Sequence, residues 1–69
     1  MKNLTISYNG NTIEIEDGLT VTHFLTLKDY DEKRTSVWLD GRQLLNSEHD
    51  STTLTEGCTV KVLRILGGG

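Results

Sequence analysis

The sequence has no proline, a single cysteine and no excess of positive charge. One cysteine cannot form an internal disulfide, which points to a reducing, cytoplasmic setting. Seven basic against ten acidic residues give a net charge of −3. A negative domain with no basic stripe is a poor nucleic-acid binder, because counterion release requires clustered Lys and Arg. No apolar run approaches the length of a membrane span, and the N-terminus lacks the basic, then apolar, then small-residue layout of a secretory signal. No pair of Cys or His has metal-ligand spacing. His23 is expected on the solvent edge of a helix and His49 in a loop, so no metal site is expected. Finally, 69 residues make one small domain with a modest core and no room for an enclosed pocket with its own catalytic shell. A self-sufficient enzyme is therefore not expected. Hydrophobic residues at 35% and charged residues at 25% are a soluble globular balance, neither disordered nor collagen-like.

The patterning that is present divides the chain into short elements. Leu4, Ile6 and Tyr8 alternate with Asn3, Thr5 and Ser7, the period of a half-buried strand over 3–8. Asn9-Gly10-Asn11 supplies residues tolerant of positive φ and predicts a hairpin, with a return strand over 12–16 that turns Ile13 and Ile15 inward. Thr20 is placed to cap a helix. Val21, Phe24 and Leu25 form its apolar stripe, which Leu27 widens, and the helix is expected to stop near Lys28. Residues 29–34 have no apolar period and read as a charged surface loop. A third strand covers 35–39, with Val37 and Leu39 on the face of Thr35 and Trp38 on the other. Asp40-Gly41 marks a turn into a short strand over 42–45. Residues 46–53 are polar and read as irregular, anchored by Leu54. Glu56-Gly57 turns the chain into a last strand over 58–65, after which the sequence reads Leu66-Gly67-Gly68-Gly69.

A hairpin, a helix and then further strands imply an α+β layer in which one main helix packs across one face of a mixed sheet of four to five strands. The first and last strands are both apolar enough to be central, and side by side they run parallel. This is the β-grasp arrangement, expected over 1–66 with a flexible glycine tail at 67–69.

Several stretches resemble a known family. Thr20-Val21 opening a helix, Leu39-Asp40-Gly41 closing a strand, Glu56-Gly57-Cys58-Thr59-Val60 entering the last strand and the final Gly68-Gly69 are together similar to the ThiS/MoaD family of ubiquitin-like sulfur carriers, nearest to its ThiS branch. The resemblance covers nearly the whole chain. Its most specific part is a strand that leads straight into a double glycine. Two positions depart from the family pattern: Gly57-Cys58 replaces the common Gly-Asp, and Asp40 replaces an Asn. Neither touches the tail.

The resemblance implies a non-enzymatic carrier whose Gly69 carboxylate is adenylated and then converted to a thiocarboxylate. It implies an adenylating partner of the ThiF or ubiquitin-activating type, which consumes ATP, together with a sulfur-donor enzyme. The acceptor would be a thiazole synthase of the ThiG type or another sulfur-using enzyme. No tightly bound cofactor is implied. Gly67, Gly68 and Gly69 lack Cβ atoms, which lets the backbone enter a narrow channel, and in extended form they add roughly 10 Å of reach. Gly68 and Gly69 are the candidate reacting positions. Trp38, Leu63 and Ile65, on the face of the sheet away from the helix, form a candidate docking patch continued by Leu66 and Gly67. Cys58 lies roughly 35 Å of extended strand from Gly69 and has no electropositive neighbours in sequence to activate it, so a relay role is not expected. The destination the resemblance implies for the sulfur is the thiamine thiazole, and rival destinations are molybdopterin, cysteine, homocysteine or another thio-metabolite. Rival classes are a protein modifier that forms an amide through Gly69, and a bare interaction module.

Overall fold

The computed structural model describes residues 2–65. It holds five strands and one α-helix: β1 (Asn3–Tyr8), β2 (Asn11–Glu16), α1 (Val21–Leu27), β3 (Thr35–Leu39), β4 (Arg42–Gln43) and β5 (Thr59–Arg64). Single 3₁₀ turns at Glu32–Arg34 and Asn46–Glu48 lie in the connections. The sheet order is β2-β1-β5-β3-β4. β1 and β5 are central and parallel, and the other pairings are antiparallel. This is the mixed β-grasp sheet expected from the order of elements. The tail expected at 67–69, together with Leu66, lies outside the described residues.

Local chemistry fixes the element boundaries. Asn9 at φ 47° and Gly10 at φ 85° make a two-residue hairpin turn with both central residues left-handed, the geometry that matches strand twist. The return strand therefore starts at Asn11, paired with Tyr8, one residue earlier than the sequence pattern suggested. The Thr20 side chain accepts the His23 N–H at 3.2 Å and caps α1. At the other end Asp29 takes φ 62°. Its N–H reaches Thr26 C=O at 3.1 Å while that of Tyr30 reaches Leu25 C=O at 2.9 Å, the paired bonds of a Schellman stop.

The core lies between α1 and one face of the sheet. Val21, Phe24 and Leu25 of the helix meet Leu4, Ile6, Ile15, Val37, Val60 and Val62 of the strands, with Leu44, Leu54 and Cys58 closing the ends. Three further expectations are corrected. The fourth strand, expected over 42–45, ends at Gln43, and Leu44 turns into the core. Leu27 does not join the stripe and is 70% exposed. At about 100° per residue it stands roughly 110° from the centre of the Val21–Phe24–Leu25 arc. The stretch 46–53, read as polar and irregular, holds a short 3₁₀ turn and the fully buried His49. Among the described residues no helix is long and apolar enough to cross a membrane.

Candidate functional site

β5 organises the candidate site because its two faces do different work. Val60 and Val62 point into the core, while Lys61, Leu63 and Ile65 point away from the helix. On this open face the antiparallel register sets Trp38 across from Lys61 and Ser36 across from Leu63. Trp38 and Leu63 are thus diagonal neighbours, within reach of an indole ring. With Gly41, Thr59 and Lys61 they line a shallow depression of about 270 Å³. A second depression adjoins it over Ser7, Asn9 and Gly10 and shares Thr59, Lys61 and Leu63.

Of the residues singled out from sequence, Trp38 and Leu63 come together in one depression. Trp38 is half-buried there and Leu63 is 46% exposed. Ile65 is 54% exposed. It lies one pleat beyond Leu63 on the same face, its N–H bonded to the Arg34 carbonyl at 2.7 Å, and it does not line the depression. Leu66, Gly67, Gly68 and Gly69 fall outside the described residues.

Other reactive side chains are turned away from this face. Cys58 is buried, and burial pushes its thiol pKa above the ordinary value, the opposite of what a nucleophilic thiol needs. His49 is completely buried, with Nδ1 2.9 Å from a Glu32 carboxylate oxygen that also accepts the Thr22 hydroxyl at 3.0 Å. With a proton on Nδ1 the imidazole donates to that carboxylate oxygen. This pair ties the 46–54 segment to the 3₁₀ turn before β3, a structural tie rather than a ligand arrangement. His23 is exposed, as expected. Among the described residues no three His, Cys, Asp or Glu side chains cluster as metal ligands would.

Sequence reasoning missed an aromatic and cationic cluster where β5 leaves the sheet. The Tyr8 and Tyr30 hydroxyls are 2.5 Å apart, and the Arg64 guanidinium lies 5.0 Å from the Tyr30 ring centroid. Tyr8 packs edge-on against Phe24, with Lys28 Nζ 5.5 Å over its ring. Burial, then the bond to Tyr30, pushes the Tyr8 pKa up to about 12. Alternation showed that Tyr8 points inward, but nothing local in the sequence connects it with Tyr30 or Arg64.

With this geometry in place, the comparisons with known proteins are decisive. The model of the ThiS family matches residues 6–69. The chain belongs to the ThiS family. A crystal structure of the thiamine biosynthesis protein ThiS from Geobacter metallireducens superposes with a TM-score of 0.82 at 30% identity, covering 96% of this chain and 100% of that one. A solution structure of a thiamine biosynthesis protein from the same organism gives a TM-score of 0.78 at 29% identity, covering 96% and 88%. A comparison with curated protein sequences finds no match. The family's ubiquitin-like sulfur-carrier character therefore extends to this chain. In this ThiS-family fold the strand that bears the open-face residues is also the one that precedes the glycines.

Proposed function

We propose that this protein carries sulfur for thiamine biosynthesis on the carboxylate of Gly69. The observation that carries the reading is the identity of β5: a central strand with an exposed apolar side, inside a family match that runs on through Gly69. The name of the Geobacter metallireducens structures supports the destination.

A carboxylate is a poor electrophile, so sulfur enters only after activation. In the proposed cycle a Gly69 carboxylate oxygen attacks the α-phosphorus of ATP held by an adenylating partner. Pyrophosphate leaves, and the product is an acyl–AMP mixed anhydride. Sulfide, or the terminal sulfur of an enzyme persulfide, then attacks the acyl carbon. The C–S bond forms as the C–O bond to AMP breaks. Sulfide yields the thiocarboxylate directly. A persulfide yields an acyl disulfide, whose S–S bond a second thiol reduces to release it. The thiocarboxylate sulfur is then the nucleophile offered to a thiazole-forming synthase. ATP belongs to the partner, and the carrier holds no cofactor of its own.

Docking falls to the open face. Trp38 and Leu63 present an apolar centre beside Lys61, with Ile65 leading toward Leu66 and Gly67. An aromatic anchor in an apolar centre is the composition that concentrates binding energy at interfaces. The direct test is intact-protein mass after incubation with an adenylating enzyme of this type, ATP and sulfide. The reading predicts a gain equal to the difference between sulfur and oxygen. Higher-mass conjugates would instead indicate a protein modifier, and an unchanged mass a bare interaction module.

A further inference from the structure

β5 is bracketed by the first residues of two left-handed turns, and the chemistry at the two ends differs. At its start, Asp40 (φ 50°) donates its N–H to Thr59 C=O at 2.8 Å and accepts the Thr59 N–H on its carboxylate at 2.9 Å. The side chain there needs only an acceptor, because the backbone supplies the donor. Toward the other end the requirement is stricter. Even-numbered residues of β5 turn their peptide groups toward β1. The Asn9 N–H reaches Val60 C=O at 2.9 Å, and there the chain of β1 turns away into the hairpin. Val62 is buried, so its N–H and C=O would be left without a partner, an expensive state for buried backbone groups. The Asn9 side chain takes both: its Oδ1 accepts the Val62 N–H at 2.8 Å and its Nδ2 donates to Val62 C=O at 3.2 Å. A carboxamide has an acceptor and a donor on one short arm, and asparagine also tolerates the positive φ of this turn. Asp would present a second acceptor to a carbonyl, and Gly would present nothing.

We infer that Asn9 is a positioning residue for the carrier strand: its carboxamide replaces the missing rung of the β1–β5 ladder and fixes the line along which β5 leaves the fold. This rests on the carrier reading given above. The reacting carboxylate lies seven residues beyond Val62, so a swing of the strand at Val62 moves the point from which the glycine tail sets out. Asn9 lines the adjoining depression and not the one that holds both Trp38 and Leu63, so docking through those two side chains survives loss of the carboxamide, while delivery of the carboxylate to the α-phosphorus suffers.

The test uses the full chain and two readouts. Asn9→Gly keeps the turn conformation and deletes the clamp. Amide hydrogen exchange should then show Val62 losing protection by about tenfold relative to Ser7, whose N–H bonds to the Cys58 backbone. Asp40→Asn should leave Thr59 protected, since only the acceptor is used there. In ATP–pyrophosphate exchange with the adenylating enzyme, Asn9→Gly should lower kcat by about tenfold or more with the carrier's KM within about threefold. Asn9→Asp should fall between Asn9→Gly and wild type. A purely structural role would look different: an unfolded fraction lowers the effective carrier concentration, raising apparent KM at unchanged kcat. That pattern, or unchanged Val62 protection in Asn9→Gly, would overturn the inference. Failure of the wild-type chain to support exchange would overturn the carrier reading itself, and the clamp would still be decided by Val62 protection.

Discussion

Cys58 follows the Glu56–Gly57 turn and stands just before β5; it is buried, and burial raises its thiol pKa. The thiolate is the reactive form, so the native protein should react with iodoacetamide far more slowly than the protein in urea. Mass spectrometry of the alkylated protein reads the difference, and equal rates would contradict the burial. Tyr8 provides a second test. Its pKa rises from 10.0 toward about 12 on folding, so between these values the folded state holds a proton that the unfolded state has released. The stability tied to that proton is fully present below pH 10 and is lost as pH rises through about 12. Urea denaturation of Tyr8→Phe should show a smaller fall over this window, and a cost of about 1 kcal/mol at neutral pH for the lost hydroxyl bond. What sequence could reveal at this scale followed the range of the interaction. Thr20 was legible as a cap because its partner is three residues away. His49 was not, because the bond that makes its burial tolerable comes from Glu32 on a distant connection.

Among the elements, the strands were read most closely, because a period of two and a left-handed turn pair are strong local signals. β1 and β3 fall where alternation places them, β2 starts one residue early, β5 is one residue shorter at each end and β4 is two residues shorter. The helix shows where local pattern stops: Leu27 fits a loosely drawn stripe, but only the direction of the sheet decides which part of the arc is covered. Phe24 lies on that covered arc and is 1% exposed. Phe24→Ala should therefore cost about 3–5 kcal/mol, enough to leave a domain of this size largely unfolded. Leu27→Ala, on the same helix, should change stability by only a few tenths of a kcal/mol, since its side chain is already in water. Chemical denaturation of the two variants separates them, and a similar loss in both would mean the helix packs on a different face.

At the scale of the molecule, one layer of sheet separates two surfaces with different tasks. The helix side supplies stability, while the open side is the surface proposed to meet a partner. Leu63→Asp alters only the second. With Leu63 already half in solvent the fold should survive, while a charge desolvated on docking should weaken the complex with the adenylating enzyme by about 2 kcal/mol or more. Calorimetric titration against wild type measures this, and equal affinity in a folded variant would remove the open face from docking. The sequence suggested this surface through Trp38, Leu63 and Ile65. It did not suggest Asn9, because a turn-former's second use depends on which strand lies beside it. The central claim concerns the residues that follow β5 in sequence, where the proposed chemistry requires a free carboxylate on Gly69 and no side chain at Gly68. ATP–pyrophosphate exchange with the adenylating enzyme tests it most directly, comparing the chain that ends at Gly69 with a chain bearing one added residue and with Gly68→Val. The account predicts exchange with the first and none with the other two, all three being equally folded by circular dichroism. Normal exchange by either altered chain would contradict it.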